Sequence, residues 1–213
     1  MAVAESFALF IEKLSSNLKK TLPGETAHRI MEALSATYLD SKPGARTRKS
    51  AVLILFYPSG NGICFPLILR TPYGIHSNQI AFPGGEYELS DSDLIHTALR
   101  EAQEEIGLKI DDVKILGMLT EIFIAPSNFQ VLPVVGYMQY RPDFKPNASE
   151  VERIFETNLA YFSNPDLIRT SEIPIPGELV VTPHYELKGH KIWGATAKVI
   201  SELLAVMNGS SPG

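Results

Sequence analysis

The stretch FPGGEYELSDSDLIHTALREAQEEIGL (residues 82–108) places a proline and two glycines directly before an acid-rich segment. The apolar spacing of its second half predicts a helix over roughly 92–106. Gly107 supplies a C-terminal stop, because glycine adopts the backbone conformation that often ends a helix. The candidates for the N-cap are the short polar residues Ser90, Asp91 and Ser92.

Three carboxylates gather on one face of this predicted helix. Glu101, Glu104 and Glu105 stand at positions i, i+3 and i+4, which lie side by side on a helix surface. Like charges at this spacing destabilise a helix by roughly a few tenths of a kcal/mol, so water or a cation is expected to compensate them. The opposite stripe is apolar and is expected to face a core, with Ile95, Leu99, Ala102 and Ile106. We therefore expect the glutamates to converge outward on one spot, where their oxygens suit Mg²⁺ or Mn²⁺.

Length and composition describe an ordinary globular chain. It has 213 residues, 45% hydrophobic and 20% charged, which predicts one domain or one domain with an appendage. The net charge of −5 disfavours nucleic acid and anionic membranes as partners. Cys64, the single cysteine, excludes an internal disulfide and has the strand-like surroundings of a core residue. With no apolar run of membrane-spanning length and no secretory signal, we expect a cytoplasmic protein.

Changes of hydrophobic period along the chain predict both helices and strands. Helices are predicted over 5–20 and 25–35, before a polar linker over 40–50. Strands are predicted over 51–58, 63–70, 114–124 and 129–139, the first two joined by a hairpin turn at 59–62. The segment 148–164 has partly helical spacing, and the chain ends as a strand, a Lys-Gly turn, a strand and a helix starting near Gly194. Because the alternation is irregular, the fold class is α/β or α+β with a mixed sheet.

The acid-rich segment resembles the signature of the Nudix hydrolases. In that signature a glycine, five residues, a glutamate and seven residues precede Arg-Glu, and Glu-Glu follows two residues later. Here five residues separate Gly85 from Asp91, eight more precede Arg100, and the chain then reads REAQEEIGL. The second half matches, whereas the first half has aspartate for glutamate and one extra residue. Ser92 holds the usual glutamate position counted back from Arg100.

The resemblance implies the Nudix α/β/α sandwich, in which a mixed sheet lies between helices, for residues 46–207. Residues 1–45 would then form an N-terminal helical extension, and residues 208–213 a disordered tail. Many Nudix proteins dimerise, so a homodimer is a further expectation.

Further motifs resemble the Nudix branch that hydrolyses coenzyme A and related thioesters. The stretch LILRTPYGIHSNQIAFPGG is similar to that branch's upstream motif, which has an arginine, a small hydroxyl residue, a later arginine and a glycine. Arg70 and Thr71 match its first two positions, and Asn78 stands where the glycine usually is. The second arginine has no counterpart. The segments LPGETAHRIM, LPVVGY and IWGATA also resemble this branch.

The resemblance assigns the metal site residue by residue. Glu101, Glu104 and Glu105 become ligands of Mg²⁺ or Mn²⁺, and the carbonyl of Gly84 becomes a further ligand. Arg100 is expected to orient a ligand carboxylate rather than to touch the substrate. Asp91 either supports these ligands or, as we expect, caps the helix N-terminus.

Other residues are candidates for binding the substrate and activating water. Arg70 is the leading candidate for a phosphate contact, and His76 is expected to approach the same groove. The general base is left open among a motif glutamate and three later acids, Glu121, Glu150 and Glu152. The basic loop 46–49 is a second place for a phosphate contact, with a solvated loop as the alternative.

Three functions remain open on the sequence. The first is metal-dependent hydrolysis of the pyrophosphate of coenzyme A or acyl-coenzyme A, giving 3′,5′-ADP and phosphopantetheine or its acyl form. The second keeps the chemistry but takes ADP-ribose, a nucleotide sugar, a dinucleotide or a nucleoside triphosphate. The third is a ligand sensor with the same fold and no turnover.

Overall fold

The computed structural model describes residues 2–33, 42–60, 62–73, 77–175 and 178–209. Several predictions made from the sequence fall on residues outside these ranges. They concern the last two residues of the helix predicted over 25–35, the first two residues of the linker predicted over 40–50, the hairpin residue Asn61, the candidate His76 and the tail beyond residue 209.

The described residues form four α-helices and eleven strands. The helices are α1 (Ala2–Leu18), α2 (Glu25–His28), α3 (Leu94–Ile106) and α4 (Gly194–Asn208). The strands are β1 (Arg48–Ser59), β2 (Gly62–Arg70), β3 (Ile80–Ala81), β4 (Gly84–Glu86), β5 (Lys114–Met118), β6 (Ile122–Ile124), β7 (Phe129–Tyr137), β8 (Val151–Asn158), β9 (Ile168–Ile175), β10 (Glu178–Leu187) and β11 (His190–Ile192). No helix among these residues combines the length and the apolar character needed to cross a membrane.

Strand β1 organises a mixed sheet. It runs parallel to β7 along nine residue pairs, from Arg48 opposite Phe129 to Phe56 opposite Tyr137. Its first half also pairs antiparallel with β4, and its last residues pair antiparallel with β2. Strand β2 in turn pairs with β3 and β8, and β7 pairs with β5 and β6. A separate three-stranded sheet has the order β11-β10-β9.

The side chains of β1 are buried on both faces of the sheet. Leu53 and Leu55 belong to the apolar cluster that holds Ala98 and Ala102 of α3. The intervening Ile54 and its neighbour Phe56 belong to a second cluster, which holds residues of α1 and α4. Because successive strand residues point to opposite faces, the sheet lies between α3 on one side and α1 and α4 on the other. The predicted α/β/α sandwich with a mixed sheet is confirmed.

Helix α1 packs into this second cluster. Leu14 is 1% exposed and Phe7 is 5% exposed, and α1 contacts both α4 and β5. The following predicted helix is shorter than expected, because α2 ends at His28 and one turn of 3-10 helix, Arg29–Met31, completes it. Met31 is fully buried in the same cluster. The N-terminal segment therefore contributes directly to the main core.

The prediction of partly helical structure over 148–164 was wrong for residues 151–158. Residues Val151–Asn158 form β8, which pairs with β2 along its length, and 3-10 turns follow at Leu159–Ser163. The buried residues Val151 and Phe155 stand four apart, a spacing that suits a helix face and one strand face equally well. The free edge of β2 decides between them, because it offers backbone hydrogen bonds along the whole segment.

The strand predicted over 114–124 is divided into β5 and β6 by Leu119–Glu121. Both pieces pair with β7. The short strands β3 and β4 and the longer β9 were not predicted. The first two have only two and three residues, too few for a periodic pattern.

Candidate active site

Helix α3 is fixed at both ends. Asp93 is its N-cap, with an extended backbone and a side-chain oxygen that accepts from the His96 amide at 2.8 Å. Gly107 ends it with a left-handed φ of 66°, and its amide donates to Gln103 at 3.0 Å. The expectation that Asp91 caps this helix was therefore wrong, since the cap lies two residues later.

Asp91 instead holds Arg100. The Arg100 Nε donates to Asp91 Oδ1 at 2.9 Å, and Nη2 donates to Asp91 Oδ2 at 3.1 Å. The Asp91 carboxylate is fully buried and also accepts from the Thr97 hydroxyl and the Glu88 amide. Hydrogen bonds from Arg100 hold the pKa of Asp91 well below its usual range. The aspartate thus stays charged and fixes the guanidinium in one orientation.

The outer side of Arg100 faces two of the motif glutamates. Its Nη1 donates to Glu101 Oε1 at 2.9 Å and to Glu104 Oε2 at 3.3 Å. Nη2 also donates to the carbonyl of Glu86 at 2.9 Å, which ties the guanidinium to β4. This geometry agrees with the expected orienting role of Arg100, which stays a prediction until activity is measured.

The glycine pair before the helix lies against the carboxylates. A Cβ on Gly85 would lie 2.4 Å from Cδ of Glu101, and one on Gly84 would lie 2.3 Å from the Ala51 carbonyl oxygen. Only glycine leaves space for such an approach. Burial raises the pKa of Glu101, and Arg100 offsets part of this effect.

Glu105 does not share the outward face of the other two glutamates. Its side chain is 1% exposed, accepts from the Gly84 amide at 2.9 Å and pairs with Arg70 Nη1 at 3.1 Å. Burial raises its pKa to about 7, against the opposing effects of the Gly84 amide and Arg70. The expectation that all three glutamates converge outward is therefore wrong for Glu105. Sequence spacing places side chains on a helix face, but the nearby Gly84 amide and Arg70 draw this one inward.

A fourth carboxylate, Glu150, belongs to the same neighbourhood. Its negative charge raises the pKa of both Glu101 and Glu105. Its backbone carbonyl accepts from the Thr71 amide at 3.0 Å, just beyond the end of β2. Of the other two base candidates, Glu121 accepts a hydrogen bond from Gln130, and Glu152 is exposed.

Asn78 explains how one departure from the upstream motif is accommodated. It has a left-handed φ of 56°, and asparagine tolerates this conformation better than most residues with a side chain. The position of the glycine in the upstream motif therefore keeps a glycine-like backbone here. His76 lies outside the described residues.

The carboxylates suit a hard divalent ion in chemistry but are not yet arranged around one. Glu105 pairs with Arg70, and Glu101 and Glu104 pair with Arg100, which also pairs with Asp91. In the part of the chain that the structure describes, no three His, Cys, Asp or Glu side chains form a group ready to hold a metal ion.

Sequence reasoning missed Asp93 as the N-cap and preferred the wrong one of two alternatives for Asp91. Asp91 and Asp93 are two residues apart, and both are short acids before a helix. The signature favours the other alternative for Asp91, because it too has an acid before its arginine. Only the structure shows that the N-cap is Asp93 and not Asp91.

Comparison with known proteins gives the family. The NUDIX domain model matches residues 47–160, which is more than half of the chain. The uncharacterized Nudix hydrolase NudL of Pectobacterium atrosepticum is 32% identical over 184 residues, 76% of this chain and 84% of that protein.

Two mouse relatives carry more specific names. The peroxisomal coenzyme A diphosphatase NUDT7 is 27% identical over 203 residues, 90% of this chain and 86% of that protein. The mitochondrial coenzyme A diphosphatase NUDT8 is 36% identical over 137 residues, 61% of this chain and 62% of that protein. The chain thus spans less than two thirds of the NUDT8 protein. It belongs to the Nudix hydrolase family, in the branch that contains proteins named coenzyme A diphosphatase, and is a pyrophosphohydrolase.

Proposed function

We propose that this protein hydrolyses the pyrophosphate bond of coenzyme A or acyl-coenzyme A with Mg²⁺ or Mn²⁺. Water cleaves the anhydride, giving 3′,5′-ADP and phosphopantetheine or its acyl form. The observation that carries the proposal is the concentration of Glu101, Glu104, Glu105 and Glu150 around glycines and one well-anchored arginine. Similarity to relatives named coenzyme A diphosphatase, one of them along 90% of the chain, supports this substrate.

The glutamates have distinct tasks in this proposal. Glu101, Glu104 and Glu105 would hold the divalent ions, with the Gly84 carbonyl as a further ligand. Nudix hydrolases generally use such ions, which neutralise pyrophosphate charge and lower the pKa of bound water. Arg100 positions Glu101 and Glu104 through its anchor on Asp91. Because one nitrogen of Arg100 donates to both Glu101 and Glu104, it holds their carboxylates next to one another.

Arg70 would contact the substrate phosphates. Its side chain is one third exposed and reaches Glu105, so a bound phosphate would lie within reach of both the guanidinium and the ligand carboxylates. Glu150 is the favoured general base among the later acids, because its backbone carbonyl accepts from the amide of Thr71, next to Arg70, and its charge raises the pKa of both Glu101 and Glu105. A motif glutamate is the alternative. His76 stays a candidate for substrate binding.

A second substrate class is kept for a specific reason. The upstream motif has no second arginine, so the same carboxylates would equally serve ADP-ribose, a nucleotide sugar, a dinucleotide or a nucleoside triphosphate. The phosphoryl chemistry is the same in every case.

Product analysis by mass spectrometry separates these possibilities. The protein is incubated with Mg²⁺ or Mn²⁺ and coenzyme A, acetyl-coenzyme A, ADP-ribose, a diadenosine polyphosphate or dGTP. Phosphopantetheine formed from coenzyme A, and lost in the Glu104→Gln variant, is the expected result. Cleavage of only another diphosphate would reject coenzyme A as the substrate.

Assembly and location stay predictions. We expect a homodimer and a cytoplasmic location. We also expect that the protein binds neither nucleic acid nor membranes. The names of the mouse relatives place one in peroxisomes and the other in mitochondria, so direct imaging is the test for the compartment of this protein. Light scattering in solution measures the oligomeric state.

A further inference from the structure

A short segment between β7 and β8, residues 145–150, is bound to the end of helix α3. The last carbonyls of an α-helix have no partner within the helix. Here the Lys145 amide donates to the Ile106 carbonyl, and the Asn147 amide donates to the Glu105 carbonyl, both at 2.9 Å. Because Glu105 is a candidate metal ligand, this segment is attached through its backbone to a residue that carries one of the ligand carboxylates.

Asn147 closes a tight turn within this segment. Its carbonyl accepts from the amides of Glu150 at 3.0 Å and Val151 at 2.8 Å. Its side-chain Oδ1 accepts from the Ser149 amide at 3.2 Å and from the Ser149 hydroxyl at 2.7 Å. Asparagine is favoured at the first position of such a turn, because its side chain accepts from the amide two residues later. The turn fixes the direction in which the chain enters β8.

The side-chain nitrogen of Asn147 is directed at Glu150. Its Nδ2 donates to Glu150 Oε1 at 3.4 Å, a long hydrogen bond. In the described part of the chain, this is the only hydrogen bond to the Glu150 carboxylate, and no salt bridge includes that carboxylate. Both side chains belong to half-buried residues. The orientation of the Glu150 carboxylate therefore depends on Asn147.

Glu150 lies beside the candidate metal ligands. Its backbone carbonyl accepts from the Thr71 amide at 3.0 Å, and the residue before Thr71, Arg70, pairs with Glu105 at 3.1 Å. The negative charge of Glu150 raises the pKa of both Glu101 and Glu105. The contact next to Arg70 and the effect on both ligands place Glu150 within the candidate active site.

We propose that Asn147 is a positioning residue, which aims the carboxylate of Glu150 at the water that attacks the pyrophosphate. This inference rests on the proposed function and on Glu150 as its general base. In that reaction the water oxygen bonds to phosphorus, the water proton passes to Glu150, and the P–O bond of the anhydride breaks. Asn147 offers a single neutral donor, so the second carboxylate oxygen stays available to accept the proton.

The variant Asn147→Asp separates the two tasks of this side chain. Its carboxylate still accepts from Ser149 and so keeps the turn, but it offers no donor to Glu150 and repels it. We expect kcat for coenzyme A to be at least about tenfold lower, with KM and the melting temperature nearly unchanged. The matched control is Asn164→Asp, because Asn164 is exposed and its Oδ1 likewise accepts from the amide two residues later, that of Asp166, at 3.0 Å. The control should keep the wild-type kcat, and an equal loss there would show a general charge effect and overturn the inference.

A double-mutant cycle tests whether Asn147 acts through Glu150. Glu150→Gln alone should lower kcat by at least about a hundredfold, and adding Asn147→Asp should lower it no further. A wild-type kcat in Asn147→Asp, or the same further loss in the double variant, would overturn the inference. Full activity of Glu150→Gln would also overturn it and leave the proposed hydrolysis intact. If the wild-type protein does not cleave coenzyme A, the proposed function itself is rejected.

Discussion

At the scale of single residues, the pairing of Asp91 with Arg100 controls the position of two candidate metal ligands. The aspartate accepts two hydrogen bonds from the guanidinium, which then donates to Glu101 and Glu104. A shorter acid than the family's glutamate, placed one residue further from the arginine, still reaches it. The extra residue and the missing methylene therefore do not break the interaction.

Replacement of Asp91 by asparagine should destabilise the protein in a pH-dependent way. Removing one partner of a buried pair costs about 3 kcal/mol. Because the folded pKa of Asp91 is lowered, its contribution is fully present above the ordinary aspartate pKa, near 4, and is lost as the pH falls below it. The penalty of Asp91→Asn, measured by urea unfolding, should shrink by about 1 kcal/mol between pH 7 and pH 3. A penalty that does not change over this range would contradict the assigned pairing.

Gly85 is the residue through which β4 sets the space for Glu101. In Gly85→Ala the new Cβ would overlap the Glu101 carboxylate, and displacing a ligand by about 1 Å lowers turnover by roughly a hundredfold. Stability should change little, because the displaced atoms are the end of a side chain. The matched control is Gly60→Ala, where a Cβ meets no atom within 4 Å. Equal kcat values for the two variants would refute this function of Gly85.

At the scale of secondary structure, α3 depends on the cap at Asp93. Loss of an N-cap oxygen costs about 1 kcal/mol, so Asp93→Ala should lower the free energy of unfolding by that amount. Ser92→Ala, one residue earlier, provides the control and should have little effect. The measurement is chemical denaturation of both variants at pH 7. A larger loss of unfolding free energy in Ser92→Ala than in Asp93→Ala would show that Ser92 is the N-cap instead.

Strand β8 shows how a partner strand decides local structure. Its buried residues fit a helix face as well as a strand face, and its pairing with β2 selects the strand. Glu150 comes directly before β8, and its charge raises the pKa of the candidate ligands Glu101 and Glu105. The position of this acid therefore depends on the strand and not on a helix.

At the scale of the whole molecule, the N-terminal segment is fastened to the C-terminal helix. Glu202 of α4 is fully buried and accepts hydrogen bonds from His28, the Gly24 amide and the Thr120 hydroxyl. The Ser201 hydroxyl donates to the Ala27 carbonyl at 2.8 Å. The contacts made by Gly24, Ala27 and His28 join segments about 175 residues apart in the chain. The proposed division into an extension over 1–45 and a Nudix domain over 46–207 stays a prediction, but the two share one core.

Two leucines of α1 test this shared core. Leu14→Ala should cost about 3 kcal/mol, because the side chain is 1% exposed and its loss leaves a cavity. Leu9→Ala removes the same atoms from a side chain that is 66% exposed and should cost less than about 0.5 kcal/mol. Thermal and urea unfolding of both variants provide the comparison. Similarly small losses of unfolding free energy in both variants would mean that α1 contributes little to the core.

The sequence by itself determined the elements that depend on local pattern. Helix α3, the hairpin of β1 and β2, strand β7 and the start of α4 at Gly194 follow from periodicity and from turn residues. The sequence also identified the family, because a long motif of acids and glycines at fixed spacing is specific even before the fold is known.

Only the tertiary structure decided which acids act together and in which direction they point. Glu105 turns inward because the Gly84 amide and Arg70, distant in sequence, offer it partners. Glu150 joins the site because β8 pairs with β2, and Asp91 holds Arg100 because Asp93 supplies the cap instead. These arrangements depend on contacts between separate segments, and such contacts leave no periodic trace in the sequence.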